Sequence, residues 1–263
     1  MSQSKRLKTH CFTPHNLVDS PSQLNLIMEA QKTSKNAIEN LFKAGAHFAY
    51  AKSRRHPSAK PFIFGVKNKV EIFDLEKTQV ELEKAKDFVK KIGETGGQIL
   101  FVAGKSEAKN PIQNIASTLG MPYVAGRWIG GTLTNFPEIR KRVVKLEALT
   151  AQKEKGELAK YTKKERLLID REIEKLNASF SGIIPMKELP KALFVVDSKR
   201  EHIAIAEAKQ VGIKIVSLSG SDCDLGDVDY AIPGNDVSAQ SITYITQEIA
   251  SAYKEGKDSK KSA

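Results

Sequence analysis

The sequence has few cysteines and no long apolar stretch. Its two cysteines, Cys11 and Cys223, lie far apart and belong to no CxxC or Cys/His cluster. This arrangement argues against a disulfide framework and a structural zinc site, and it favours a reducing, intracellular environment. No run approaches the roughly 18 apolar residues that a membrane-spanning helix needs, and the N-terminus lacks the apolar core of a secretory signal. We therefore expect a soluble, cytoplasmic protein with no membrane partner.

Acidic residues are scarce relative to basic ones. Lys and Arg total 42 and Asp and Glu total 31, which gives a net charge of +11 at pH 7. Net charge alone leaves RNA binding and mere basicity equally open. The distribution favours RNA, because no acid lies between Glu39 and Glu71, whereas the basic residues there are Lys43, Lys52, Arg54, Arg55, Lys60, Lys67 and Lys69. We expect a positive surface here, whose binding to phosphates weakens steeply with salt.

Strand-like and helix-like segments alternate through most of the chain. Phe62–Val66 and Val70–Leu75 flank the basic turn Lys67-Asn68-Lys69, which predicts a β-hairpin. Short apolar runs typical of strands buried on both faces of a parallel sheet follow at residues 98–104, 123–124, 192–196 and 213–218. Segments with helical periodicity lie between and after these runs. The alternation predicts an α/β fold with a doubly wound, mostly parallel sheet.

The segment from Phe136 to Phe180 interrupts this alternation, since it contains no strand signal. Apolar residues recur every three or four positions in each half, which predicts two helices with narrow apolar seams. Thr162-Lys-Lys-Glu165 is a capping box that marks the start of the second helix. We expect an inserted antiparallel coiled-coil helical hairpin over residues 136–182. Two ordinary helices folded onto the sheet are the alternative.

The predicted organisation has four parts. Residues 1–36 are polar and basic and predict a flexible extension, with an organellar transit peptide as the alternative. Residues 37–135 and 183–253 form the α/β sheet domain, and the helical hairpin at 136–182 is inserted in it. Residues 254–263 are polar and lysine-rich and predict a flexible basic tail.

The segment Gly126–Asn135 is the strongest local cluster, because it combines the only tryptophan with an arginine and paired glycines. Arg127 carries the planar guanidinium that suits phosphate or guanine contacts. Trp128 offers a base-stacking surface, but we favour a buried anchor at the base of the hairpin. The complete set of predicted RNA-binding residues is Arg54, Arg55, His56, Lys60, Lys67, Lys69, Arg127, Thr132, Thr134, Asn135, Lys163 and Lys164.

Signals for an enzyme are weak. Gly93–Gly97 and Gly126–Gly131 resemble phosphate loops only loosely, and neither gives GxGxxG after a strand or a Walker lysine. Asp197 at a strand end and His202 form a candidate catalytic pair, but a helix cap by Asp197 or Ser198 explains the same residues. We expect no catalytic residue, no metal and no cofactor. The alternatives are a nucleotide-dependent enzyme on the same sheet and a protein-interaction adaptor that acts through the hairpin.

Several distinctive stretches run in order along the chain: Leu41–Phe48, Lys60–Lys69, Leu75–Thr78, Arg127–Asn135, Thr162–Glu165, Leu189–Asp197, Glu201–Ala206 and Ile232–Asp236. Together they resemble bacterial small-subunit ribosomal protein number two, the S-two family. The resemblance implies a flavodoxin-like parallel sheet with an inserted coiled-coil hairpin. It also implies a structural role in translation, with contacts to small-subunit ribosomal RNA, to neighbouring ribosomal proteins and to ribosomal protein number one. This chain departs from the family at Ala49-Tyr50, where Gly-His is common.

Overall fold

The computed structural model describes residues 36–262, without the side chains of Ala159 and of residues 260–262. The chain divides into two units, Met1–Ala37 and Ile38–Ala263. Residues 1–35, which make up nearly all of the first unit and of the predicted extension at 1–36, lie outside the described residues.

A small antiparallel sheet follows the first helix, α1, at residues 36–43. Its strands are β1 (Phe48–Ala51), β2 (Ile63–Lys67) and β3 (Val70–Phe73), in the order β1-β3-β2. The predicted β-hairpin is confirmed as β2 and β3. Its two turn residues, Asn68 and Lys69, both have positive φ, the backbone that lets a two-residue turn match the twist of its strands. β1 was not predicted, because four residues give too little periodicity.

The central element is a five-stranded parallel sheet with the order β5-β4-β6-β7-β8. Its strands are β4 (Ile99–Ala103), β5 (Tyr123–Ala125), β6 (Ala192–Val196), β7 (Lys214–Ser219) and β8 (Tyr230–Pro233). Every residue of β4 and β6 is buried, since helices cover both faces. The continuous apolar runs therefore predicted the central strands correctly. β8 was missed because it is short and ends in proline.

Six further helices cover the sheet: α2 (Leu75–Thr95), α3 (Ser106–Leu119), α4 (Phe136–Glu154), α5 (Lys163–Phe180), α6 (His202–Val211) and α7 (Ala239–Ser262). Side chains alternate along β4, so Phe101 packs with α2, α3 and α7 on one face. Leu100 packs with α4, α5 and α6 on the other. The doubly wound α/β fold is confirmed.

The helices α4 and α5 pack against each other and against the face of the sheet that includes Leu100. The residues that they bury there are Ile139, Val143, Leu146, Leu176 and Phe180. Because the start of α4 and the end of α5 lie in one cluster, the helices run antiparallel with their bases on the sheet. Toward the other end, ion pairs join Lys145 to Glu172 and Lys153 to Asp170. Coiled-coil packing and a separate hairpin domain stay predictions.

The predicted capping box is present at the start of α5. The backbone amide of Thr162 donates to Glu165 at 2.8 Å, and the amide of Glu165 donates to the threonine hydroxyl at 3.4 Å. These two bonds satisfy amides that have no partner within the helix.

At residues 254–262, within the expected tail, the structure has the end of α7, which continues through Ser262. Gly256 and Gly93 let α7 and α2 approach backbone to backbone. A Cβ on Gly256 would lie 2.1 Å from the carbonyl oxygen of Lys90, and one on Gly93 would lie 2.4 Å from that of Tyr253. The segment is helical because it has a packing partner, which its lysine-rich composition does not reveal.

Candidate nucleic-acid interface

The basic loop between β1 and β2 is less positive in space than along the chain. Arg55 donates to the fully buried Glu71 at 2.8 Å. Arg54 lies 3.9 Å from Asp222, and His56 lies 3.7 Å from Asp224. The expectation of a positive surface without internal neutralisation is therefore wrong here, because acidic side chains from other parts of the chain lie next to the loop in the fold.

Three lysines near the small sheet keep their charge available. Lys60, Lys67 and Lys69 are exposed, and within residues 36–262 none of them has a carboxylate partner. Lys67 is the last residue of β2, and Lys69 is the second residue of the tight turn that follows, whose positive-φ backbone fixes where its side chain emerges. Such a rigid pair of cations suits phosphate contacts, which position a protein on RNA without reading its sequence.

The carboxylate of Glu207, on α6, organises the turn that precedes α4. Its Oε1 accepts from the indole of Trp128 at 3.1 Å and from the amide of Gly131 at 2.8 Å. Its Oε2 accepts from the amides of Leu133 and Thr134 at 3.0 and 3.3 Å. Burial alone would raise the pKa of Glu207, but these hydrogen bonds outweigh it and hold the pKa below its usual value.

The hydrogen-bond network around Glu207 explains the burial of Trp128. One residue predicted to contact RNA, Thr132, is also buried in this turn. Trp128 is only 6% exposed, as expected for an anchor at the base of the hairpin. Thr132 is 2% exposed and its hydroxyl donates to Ile129, so it offers no surface to RNA. The hydroxyl of Thr134 donates to Glu207. Arg127 and Asn135 are exposed at the ends of the turn.

Glu207 was missed by sequence reasoning, although a signal exists. It is the only acid on an otherwise apolar helix stretch, between the buried Ala204 and Ile205 and the buried Ala208. A charged residue on a buried helix face needs a compensating partner. The partner amides, more than 70 positions earlier in the chain, are not visible in the sequence.

The crevice at the carboxyl ends of β4 and β6 is filled by the protein's own charged side chains. In open α/β sheets such a switch point is where ligands bind. Here the ammonium of Lys105 lies 2.7 Å from Asp197 and 2.6 Å from Asp236. Burial would lower the pKa of Lys105, but the two carboxylates raise it. The carboxylate of Glu201 lies against Gly104, since a Cβ there would lie 2.0 Å from its Oε1.

The same cluster decides the roles of Asp197 and Cys223. Asp197 accepts from the backbone amide of Arg200 at 3.1 Å and so caps the turn before α6. The N-cap of α6 itself is Glu201, which makes no side-chain cap hydrogen bond, so the predicted helix cap by Asp197 or Ser198 is wrong in its position. Cys223 and the two aspartates lie within 4.8 Å of one another. Burial raises the pKa of the Cys223 thiol to about 12, which keeps it protonated. The ammonium of Lys105 therefore supplies the positive charge between the carboxylates.

Comparison with known proteins identifies the family. The family model described as ribosomal protein S2 matches residues 41–256. The chain belongs to the ribosomal protein S2 family. The small ribosomal subunit protein uS2 of Bdellovibrio bacteriovorus is 42% identical over 227 residues, 86% of this chain and 71% of that protein. The uS2 protein of Coprothermobacter proteolyticus is 44% identical over 221 residues, 84% of this chain and 82% of that protein.

The match confirms the family predicted from the sequence motifs. It agrees with the strand order, since the order β5-β4-β6-β7-β8 is the flavodoxin-like arrangement of five consecutive strands. Within the described residues, no helix is long and apolar enough to span a membrane.

Tyr50 stands where the S2 resemblance leads us to expect histidine. Its hydroxyl lies 3.4 Å from the ammonium of Lys105. Its ring lies 4.7 Å from the guanidinium of Arg54, close enough for a cation–π contact. In this member of the S2 family the tyrosine therefore links the basic loop to the buried charge cluster at the sheet.

The remaining predicted contacts lie at the start of α5. Lys163 and Lys164 are exposed in its first turn, and no carboxylate pairs with either of them in the described part of the chain. They are far in sequence from the lysines of the small sheet. The available cations discussed so far therefore include one group near the small sheet, at Lys60, Lys67 and Lys69, and another at the start of α5.

Proposed function

We propose that this protein binds small-subunit ribosomal RNA as a structural constituent of the small ribosomal subunit, in the cytoplasm. The family match over residues 41–256 carries the proposal. Six exposed cations that lack carboxylate partners within residues 36–262 support it: Lys60, Lys67, Lys69, Arg127, Lys163 and Lys164. The role is one of binding and assembly, without catalysis. The filled crevice at β4 and β6 supports this, because its charged groups already compensate one another.

Arg54, Arg55 and His56 contribute less in this proposal. Each already lies near a carboxylate, so an RNA phosphate would have to compete with that carboxylate. The pair between Arg55 and the buried Glu71 is the strongest of the three, because a buried carboxylate without its cation is costly. The six unpaired cations make no such exchange.

Neighbouring proteins of the small subunit are the second class of partner that we propose, and ribosomal protein number one is among them. Three large apolar side chains on α4 and α5 are about half exposed: Val144, Leu167 and Leu168. Apolar side chains among cations suit the core and rim of a protein interface.

The experiment compares binding to small-subunit ribosomal RNA by filter retention over a range of salt. The test variant is K60Q/K67Q/K69Q. The control is K84Q/K91Q/K254Q, which removes the same charge from exposed lysines on α2 and α7. Each lost phosphate contact lowers the slope of log affinity against log salt by about 0.7 to 0.9. We expect the test variant to lose about 2 units of slope and the control to keep the wild-type slope.

Sedimentation gives the decisive result. The wild-type protein should co-sediment with small ribosomal subunits at low salt. If it never does, the proposal fails. A rise in melting temperature with nucleotides would instead favour the enzyme alternative, since a ligand that binds the folded state stabilises it.

A further inference from the structure

A polar cavity lies where the end of α5 meets the edge strand β5. Its volume is about 200 Å³. Residues 123–127 form one wall, Gln113 on α3 forms a second, and Ser179 and Ser181 form the third. Gly182 holds the third wall against the first, because a Cβ there would lie 2.1 Å from the carbonyl oxygen of Tyr123. We call this space the foot cavity.

The foot cavity is lined by one cation and no acid. Arg127 is exposed there, and the described residues offer it no carboxylate. A second cleft, at the ends of β6 and β7, has more cations, but its lining also includes Asp222, Asp224 and Asp227. The foot cavity is therefore the better site for an anion.

Two lysines extend the positive charge beyond the lining. Lys109 lies one helical turn before Gln113 on α3, and Lys175 lies one turn before Ser179 on α5. Residues four apart share a helix face, so each lysine flanks the cavity. Both are exposed, and neither has an ion-pair partner in the part of the chain that the structure describes.

The uncharged groups of the lining suit a sugar. The amide of Gln113 and the hydroxyls of Ser179 and Ser181 have no hydrogen-bond partner among residues 36–262. The last turn of α5, which continues into a short 3₁₀ turn at Ser181–Ile183, lies beside these groups. These acceptors, and the negative end of the helix dipole, disfavour a free phosphate dianion and suit a ribose hydroxyl that donates.

We propose that the foot cavity holds one nucleotide of the small-subunit RNA backbone. Its phosphodiester lies against Arg127, with Lys109 and Lys175 beside it. Its ribose 2′-hydroxyl lies against Gln113 and the end of α5. The inference rests on the proposed function and adds a defined site to it. The network around Glu207 fixes the residues that follow Arg127, so the guanidinium is held on an ordered turn.

Two variants test the site in the full-length protein. R127Q removes the charge, and S181F fills the cavity without changing charge. Their controls are K91Q on α2 and S251F on α7, both at exposed positions away from the lining. For small-subunit ribosomal RNA we expect R127Q to weaken binding about tenfold and to lower the salt slope by about 1. S181F should weaken binding by a similar factor, and both controls should stay within about twofold of wild type.

The outcomes separate this inference from the proposed function. If wild type does not bind the RNA, the proposed function itself fails. If wild type binds and R127Q behaves like K91Q, the site is wrong and the function stands. If R127Q weakens binding but S181F does not, Arg127 acts as a surface cation and the cavity is not occupied. Should S181F lower the melting temperature, S181L repeats the steric test with a smaller side chain.

A further measurement distinguishes the phosphodiester of RNA from free inorganic phosphate as the ligand of the cavity. The melting temperature is measured with millimolar inorganic phosphate, for wild type and for R127Q. We expect no difference between them. A rise for wild type alone would assign the cavity to free phosphate and overturn the assignment to RNA.

Discussion

Two buried charges, Glu207 and Lys105, show how single residues hold this fold together. Glu207 is compensated by donors of one turn, and Lys105 by two carboxylates from different strand ends. Removal of either group leaves its partners buried and unsatisfied, which costs more than the lost bond itself. Each therefore gives a sharp prediction.

The variant E207Q should lower the free energy of unfolding by about 2–4 kcal/mol. The glutamine side chain would direct its own N–H groups at neighbours that are themselves hydrogen-bond donors. Urea unfolding at neutral pH measures this loss. E138Q is the control, since Glu138 pairs with Lys141 at the surface and should cost under about 0.5 kcal/mol. The indole N–H resonance of the single tryptophan should shift in E207Q alone.

The change in the free energy of unfolding as the pH falls tests the sign of the contribution of Glu207 to stability. Its pKa is lowered in the folded state, so its contribution is complete above the ordinary carboxyl pKa and is lost as pH falls through the lowered value. Wild type should therefore lose more stability on acidification than E207Q does. If wild type and E207Q lost equal amounts of stability on acidification, this explanation would be contradicted.

The variant K105M should cost about 3–5 kcal/mol, because it leaves Asp197 and Asp236 buried without their cation. K105M/D236N should recover part of the loss, and K84M on the surface should be nearly neutral. The pKa of Lys105 is raised, so its contribution is present below the unfolded lysine pKa and is lost only above the raised value. A K105M protein as stable as wild type in urea would rule out this role.

At the scale of elements, the contact between α2 and α7 reverses a helix-propensity rule. Alanine favours a helix over glycine by about 1 kcal/mol. At Gly256, however, a Cβ would meet the backbone of Lys90 at 2.1 Å. We expect G256A to destabilise the protein by about 1–3 kcal/mol through overpacking, as measured by thermal unfolding. S251A, at an exposed position of α7, should be neutral or slightly stabilising.

The pair α4 and α5 should tolerate the loss of its outer half but not of its base. Deletion of residues 138–181 removes five buried apolar side chains from the sheet's core, a loss of about 7–15 kcal/mol. That equals the whole stability of a typical domain, so we expect no folded protein.

Replacement of residues 151–169 by a short glycine-rich loop should change the free energy of unfolding by less than about 2 kcal/mol. Circular dichroism and urea unfolding compare the two. An unfolded short deletion would show that the outer half is also part of the core.

For the whole molecule, local patterns in the sequence predicted the layers but not the charge balance. The buried strands β4 and β6 are continuous apolar runs, and the capping box at Thr162 marks a helix start directly. The partners of Arg54 and Arg55 come from other elements, and no local pattern announces them. The predicted site therefore changed more than the predicted fold. The extension at 1–36 stays a prediction.

The antiparallel pair of α4 and α5 also has a consequence for the order of folding. The central strand β6 must find β4, and Ile99 pairs with Ala192 across the whole intervening chain. Closing a long flexible loop is entropically costly, and the cost falls when the loop is shortened. The capping box and the ion pairs between α4 and α5 are local, so this pair of helices can form before β6 is synthesised. It would then act as a clasp that brings the two ends of the loop together and speeds closure of the sheet.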